Sequence, residues 1–291
     1  MQSSFKSRSF SPQAKRQSFE IEPLGPTIGA QLHGIDFSKP LDDETFNLIE
    51  NALIKHKVIF AREQTISTSE QVALGYLFGE LEVHPFRPQG VHPELMVLDN
   101  HKDNPVLSTD VWHSDTTFRL QPTKYSILKC DICPQVGGDT LWADMQAAFG
   151  GLSPAVQEMI RPLRAVHDFL NFRALFKDSD EDRVRLRQME VKFPNPSHPV
   201  VRTHPMTQGQ AIYVNPQFTK HIEGMSGSES AALLALLWEQ AHVPEYQFRL
   251  KWSPGTITFW DNQSTQHYAC NDYYPNRRRM ERVAVVGDVP M

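Results

Sequence analysis

The sequence predicts a mainly β protein with flanking helices, an antiparallel sandwich or jelly roll whose helices pack outside it. Three observations carry that prediction. Short β-branched and aromatic runs dominate the second half, amphipathic helix patterns gather near the start and in the insertions, and no repeat of fixed period is visible. With 291 residues, 40% of them hydrophobic and 22% charged, the composition is that of a soluble globular chain, read as one domain over 20–291.

Residues 1–19 stand apart, with six serines, four basic residues and no acid before Glu20. That composition reads as a disordered tail, and an organellar transit peptide shares it. Phe19 to Leu32 is expected to be a strand pair broken by Pro23-Leu24-Gly25-Pro26 and Gly29. Asp42 to His56 has helix-spaced apolar residues and acids in its first turn, and Val58 to Ala61 is a short buried strand. Ser67-Thr68-Ser69-Glu70 is a capping box for a second helix ending near Gly79, before a strand at Leu95–Leu98. Tyr125–Cys133 and Thr140–Ala143 flank Gly137-Gly138-Asp139, expected to be a tight reversal between paired strands. Ser153-Pro154 opens a helix toward Leu163. The polar stretch 171–196 is an insertion, either a mobile cover or a solvated helix. Ala211–Val214 is a strand, Ser226 to Glu229 caps a further helix, and strands at Ile257–Trp260 and Arg282–Val286 close the chain.

A net charge of −5 without a basic stripe argues against a nucleic-acid partner. No apolar run approaches a membrane span, and three cysteines form no disulfide framework, which suits a reducing, cytoplasmic setting. Cys130-Asp-Ile-Cys133 has the look of a zinc or redox motif. A zinc site needs four ligands, however, and residues three apart on a strand face opposite ways, so the two thiols are not expected to meet.

His113 and Asp115 are two apart, so on a strand their side chains leave one face. Adding His267 gives two imidazoles and a carboxylate, the set that binds non-haem Fe(II) and leaves coordination positions open. With 12 histidines a lone His-x-Asp is weak, and a satisfied strand histidine is the ordinary alternative. Arg278, Met280 and Arg282 share one face of the last strand, while Arg277, Arg279 and Glu281 take the other. If the first face is interior, two guanidiniums that cannot lose a proton need anions. Asp115 would be on the metal, and Asp261 and Asp272 read as loop groups, so two anionic ligands are expected. The alternative is a surface arginine cluster fraying before the strand.

The motifs His113-Ser-Asp115, Gly137-Gly-Asp-Thr140-Leu-Trp, Trp260-Asp-Asn262, Thr265-Gln-His267-Tyr-Ala and Arg278 to Arg282 together resemble the taurine dioxygenase family of Fe(II)/2-oxoglutarate-dependent dioxygenases. The similarity extends from about Ile21 to Val289, taking in Pro23-Leu-Gly-Pro and His198-Pro-Val-Val-Arg-Thr-His-Pro205. It implies a double-stranded β-helix (jelly-roll, cupin-like) core. It further implies Fe(II) on His113, Asp115 and His267, and 2-oxoglutarate on Thr140 and Arg278. The reaction implied consumes O2 and gives succinate and CO2 as a carbon beside a sulfonate is hydroxylated, releasing sulfite and an aldehyde. An alkyl sulfate ester, a phenoxyalkanoate or another carboxylate is the alternative substrate, and a non-catalytic jelly-roll binding protein the alternative from another class. By the same resemblance His84, Arg282, Phe169 and Phe218 face a small anionic substrate, in a chain whose relatives are dimers or tetramers. The family's amine-binding positions differ here, carrying Arg87 and Thr109, and Thr116 stands beside the metal Asp. A cation at Arg87 repels an ammonium group, which points to a sulfonate other than taurine.

Overall fold

The computed structural model describes residues 14–85, 90–102, 104, 110–169, 172, 176 and 179–291. Its first half holds β1 (Glu20–Pro23), β2 (Ala30–His33), α1 (Asp43–His56), β3 (Val58–Ala61), α2 (Thr68–Phe78) and β4 (Met96–Asn100). There follow β5 (Thr123–Ile132), β6 (Thr140–Asp144), α3 (Met145–Gly151), α4 (Pro154–Ile160), β7 (Arg164–His167) and α5 (Asp180–Lys192). The rest comprises β8 (Ser197–Pro199), β9 (Val201–Thr203), β10 (Gln210–Ile212), β11 (Thr219–Ile222), α6 (Gly227–Glu239), β12 (Gln247–Leu250), β13 (Ile257–Asp261), β14 (Thr265–Ala269) and β15 (Arg278–Val286).

The core is a mainly β jelly roll. A seven-stranded sheet, ordered β1-β2-β3-β13-β5-β15-β4, lies against a three-stranded sheet, β12-β6-β14. Alternation along the strands decides which side chain goes where. Tyr125, Ile127, Ile257, Phe259, Val283 and Val285 leave the large sheet outward and pack on Phe46, Ile49, Leu53, Val72 and Phe78 of α1 and α2. Leu128, Cys130, Trp260 and Met280 leave it inward and meet Trp142, Leu250 and Trp252 from the smaller sheet's side. Both faces of the large sheet are thus covered, so β13 and most of β5 are buried along their length although polar residues alternate with the apolar ones. Among the described strand pairs, β2–β3 is parallel, an exception to the expected antiparallel arrangement. The interposed α1 is what permits it.

The helix starts follow local chemistry. Asp42 Oδ1 accepts from Thr45 N at 2.8 Å, and Ser67 and Ser226 form reciprocal capping boxes with Glu70 and Glu229. Each such cap stabilises its helix by about 1 kcal/mol. Within the polar insertion, α5 buries none of its residues fully, and Leu186 and Met189 lean on a ring cluster of Phe118, Phe169, Phe193 and Phe218. Among the described residues no helix is long and apolar enough to cross a membrane.

Two expectations about connections require correction. Gly137 and Gly138, at φ +81° and +71°, do not join a hairpin, because β5 and β6 belong to different sheets and the turn carries the chain across the barrel. The helix opening at Ser153 stops at Ile160, and β7 begins at Arg164. Elements α3, β7, β8, β9, β11 and β12 were not resolved as such from sequence, since runs of three to seven residues carry too little periodicity to distinguish.

His198 on β8 lies under Arg119, its Nε2–H donating to the Arg119 carbonyl at 2.9 Å, with the ring of His167 at 5.1 Å. Burial pushes this imidazole down to about 4. An unfolded imidazole binds its proton near pH 6.5, so between about pH 6.5 and about pH 4 the unfolded state takes up a proton that the folded state refuses. Stability should therefore fall as pH drops through that window, by up to about 3 kcal/mol from this residue, and then level. Melting temperatures measured from pH 7 to 4 are expected to decline less steeply in His198→Gln than in the parent. Parallel curves would contradict the assignment.

Candidate metal centre and anion pocket

His113 and His267 face each other across an isolated antiparallel bridge, exchanging backbone hydrogen bonds of 3.0 and 2.8 Å. Their ring centroids lie 4.1 Å apart. Asp115 is not on a strand, as the spacing suggested; it opens a turn in which Thr116 takes φ +53°. What brings its carboxylate to the histidines is Asn262, just after β13. Asn262 Oδ1 accepts from Asp115 N at 2.6 Å, and its Nδ2 donates to the carbonyls of Asp115 and Thr123 at 3.1 and 2.9 Å. Ser114, pointing away, donates to the Thr265 carbonyl at 2.7 Å. Asp115 Oδ1 consequently stands 3.8 Å from Nε2 of each histidine, and one ligand atom from each residue falls within 4.8 Å of the others.

The charges in this cluster are well defined. Burial alone would raise the Asp115 carboxyl, but the Arg282 guanidinium, and then the two imidazoles, outweigh it and hold the group well below the usual carboxylate range. Burial pushes both histidines down, so they are neutral. The Val111 carbonyl can only accept, so His113 Nδ1, 2.7 Å from it, carries the ring proton and Nε2 offers a lone pair. His267 Nδ1 is buried without a hydrogen-bond partner among the described residues. Two imidazoles and a carboxylate oxygen converging in a dry interior are a donor set that fits a divalent transition metal.

Two guanidiniums flank this cluster, and they differ. Arg278, Met280 and Arg282 do share the inward face of β15. Arg282 Nη1 donates to Asp115 Oδ1 at 2.7 Å, so Asp115, expected to serve the metal alone, is also a counter-ion of this arginine. Arg278 has no carboxylate of a described residue within ion-pair distance, although it is only 4% exposed. Its Nε donates to the Gly138 carbonyl at 3.0 Å and its Nη2 approaches Thr140 Oγ1 at 3.4 Å, under the rings of Trp252 and Tyr273. A Cβ on Gly138 would meet Arg278 Cδ and Tyr273 at 3.2 Å, so a side chain there would be strained by the positive φ and would press on the arginine stem. Thr140 Oγ1 also accepts from Trp252 Nε1 at 3.0 Å, which leaves its own O–H free to donate into the pocket.

These groups line one cavity of about 110 Å³. His84, Thr116, Thr140 and Phe218 are on its wall with the three metal-type residues and both arginines. Phe169 is not; it is wholly buried in the ring cluster, and Phe172 takes the wall position, 5.7 Å from the His84 ring and 6.0 Å from Phe218. Which ring in a loop faces inward depends on how that loop folds back, which spacing does not fix. Arg87 and Thr109 fall outside the described residues.

Several partners escaped sequence reasoning. Ser126 donates to Asp115 Oδ2 at 3.0 Å, and buried Glu82 ion-pairs with Arg119 at 3.0 Å while accepting from Thr123 at 2.9 Å. The position of Glu82, two before His84 in an extended segment, was the available signal. Asp261 is no loop group: it ends β13, 1% exposed, with His204 at 3.1 Å and Ser264 in close contact. Glu281, on the outward parity, is also buried, because α2 covers that face and Lys129 and Thr68 reach it at 3.0 Å. The two thiols of Cys130 and Cys133 do come together, in one apolar cluster. A β-bulge at Asp131 adds the residue that restores their common face. Burial, and then the neighbouring thiol, push Cys130 up to about 12.

Residues 20–284 match the family described as taurine catabolism dioxygenase TauD, TfdA family. The alpha-ketoglutarate-dependent sulfate ester dioxygenase of Pseudomonas putida is 36% identical over 281 residues, covering 94% of this chain and 91% of its own. The alkylsulfatase of Acinetobacter baylyi is 34% identical over 279 residues, covering 94% and 86%. Among solved structures, a taurine dioxygenase from Burkholderia xenovorans superposes with a TM-score of 0.80 at 36% identity, covering 94% and 91%.

Because Asn262 grips both the N–H and the carbonyl of Asp115, Asn262→Ala should loosen the carboxylate without touching any donor atom. Divalent-metal affinity, measured by calorimetry with Mn(II), is expected to fall on the order of tenfold. Unchanged affinity would mean that the turn holds Asp115 unaided.

Proposed function

The chain belongs to the taurine catabolism dioxygenase TauD, TfdA family of alpha-ketoglutarate-dependent dioxygenases, and on that footing we propose that it oxidises the carbon beside the sulfur group of a small organic sulfonate. The enzyme uses Fe(II), 2-oxoglutarate and O2. In our reading His113, Asp115 and His267 hold the iron. The observation that carries the proposal is this donor set standing beside a buried guanidinium, Arg278, that has no carboxylate of a described residue within ion-pair distance.

The bound iron supplies the O2 activation that couples decarboxylation of 2-oxoglutarate, to succinate and CO2, with oxidation of a C–H bond. The chain's own part is binding, orientation and exclusion of water. Arg278 has five N–H donors and commits two to Gly138 and Thr140, so three remain for a carboxylate. Thr140 adds its hydroxyl proton. We assign the distal carboxylate of 2-oxoglutarate to this pair. Arg282 and His84 line the other part of the cavity, and we assign the substrate's sulfonate to them, with Phe172 and Phe218 shielding the reacting carbon. Once that carbon carries a hydroxyl, the C–S bond breaks, the hydroxyl proton leaves, and an aldehyde and sulfite separate.

Asp115 is the carboxylate that lines the cavity among the described residues. The exclusion of taurine rests on Arg87, a cation in the sequence where the family carries a neutral acceptor for the ammonium group. A second reading keeps the residues and exchanges the sulfonate for a sulfate ester, with sulfate as the leaving group. It is favoured by the two relatives at 36% and 34% identity, both named for sulfate esters.

Anaerobic addition of Fe(II) and 2-oxoglutarate should produce a visible charge-transfer colour. Removing His113 as His113→Ala should abolish it. Arg278→Leu should weaken 2-oxoglutarate binding by between about ten- and a hundredfold, the range for a hydrogen-bonded charge. A panel of sulfonates, sulfate esters, phenoxyalkanoates and taurine, assayed for sulfite, sulfate and aldehyde, decides the substrate. Sulfite from a non-taurine sulfonate is the expected outcome; taurine turned over as well as the best alternative would refute that exclusion, and sulfate release would select the second reading.

A further inference from the structure

β4 pairs with β15 so that Asn100 lies directly opposite Arg278, Leu98 opposite Met280 and Met96 opposite Arg282. Residues opposite one another on one face of an antiparallel pair have Cβ atoms about 5 Å apart. The Asn100 side chain accordingly enters the cavity beside the guanidinium, together with Thr140 and Ala269. Its Nδ2 stands 3.0 Å from the Tyr273 hydroxyl, and the ring of Tyr273 lies 6.0 Å from the Arg278 guanidinium. One N–H of the amide is thus tied to a phenol, and the side chain lies on the cavity wall. A phenol donates as readily as it accepts. The amide can turn over without losing its tie to Tyr273, presenting N–H donors to whatever occupies the pocket.

An ionised carboxylate has about four lone-pair sites. Arg278 in a forked approach fills two, and the Thr140 hydroxyl fills a third. The remaining one falls on the β4 side, where Asn100 is the polar residue of the strand that lines the cavity. We propose that Asn100 is a further residue of the 2-oxoglutarate subsite, donating an amide N–H to the carboxylate held by Arg278 and Thr140. This rests on the dioxygenase reading above. Asn100 acts as a binding residue, placed at the Arg278 end of β4 and β15.

Two variants and two keto acids test the proposal. Asn100→Ala removes the donor, and Asn100→Asp keeps the shape and the tie to Tyr273 but turns a like charge on the ligand. Both are loaded anaerobically with Fe(II) and titrated with 2-oxoglutarate, following the charge-transfer band, and then with 2-oxopentanoate, which keeps the keto-acid end and lacks the second carboxylate. The expected result is a 2-oxoglutarate Kd raised on the order of tenfold in Asn100→Ala and at least as much in Asn100→Asp. The Kd for 2-oxopentanoate should stay within about twofold of the parent in both, since no hydrogen bond to it is lost. Equal 2-oxoglutarate affinity in parent and variants would overturn the assignment, as would equal losses for both keto acids, which would mark a general disturbance of the strand. A parent enzyme that develops no colour would overturn the dioxygenase reading itself, and this assignment with it.

Discussion

A charged carboxylate in a water-poor interior is the constraint on which the rest of this structure turns. Asp115 is only 5% exposed, yet it stays ionised because Arg282 lies 2.7 Å from one of its oxygens and Ser126 3.0 Å from the other. Without those partners burial would favour the protonated acid, which is a poor metal ligand. The histidines opposite it are held neutral by the same burial that threatens the carboxylate. One dry environment therefore gives all three groups the protonation state that coordination demands, provided that a single guanidinium is in place.

Geometry is secured separately from charge. The large sheet carries Ser126 on β5 and Arg282 on β15, while His267 comes from the smaller sheet, and the Asn262 amide follows directly on β13. Asn262 acts as a staple between the turn at Asp115 and the start of β5, through the carbonyl of Thr123. Trp260 and Trp142, 5.8 Å apart, fill the space between the sheets beneath His267. Apolar packing thus fixes the distance between the two walls, and the hydrogen bonds of one amide fix where the third ligand sits along them.

The two arginines, alike in sequence, come to have unlike environments. Arg282 ends beside an acid and Arg278 beside a carbonyl, a hydroxyl and two aromatic rings. An arginine of the second kind has no carboxylate of a described residue to neutralise it, and that leaves it a demand for an anionic ligand. Strand parity put both on one face, and the fold turned that face inward. It could not reveal that one of them has an acid of the protein beside it, because that depends on the closeness of Asp115, more than 160 residues away along the chain.

Local sequence determined a good deal. The capping boxes at Ser67 and Ser226, the acid-led helix after Asp42, and the common face of Arg278, Met280 and Arg282 are all set by neighbours within a few residues. Periodicity and capping act at that range. Tertiary structure alone decided the remainder: that Gly137 and Gly138 cross between sheets, that a bulge at Asp131 reunites Cys130 with Cys133, that Phe172 and not Phe169 lines the cavity, and that Glu82, Asp261 and Glu281 are buried acids with partners. Each of those outcomes depends on which strand or loop lies alongside. A side chain's identity states what it could bond to, and only the closed barrel states what comes within 3 Å of it.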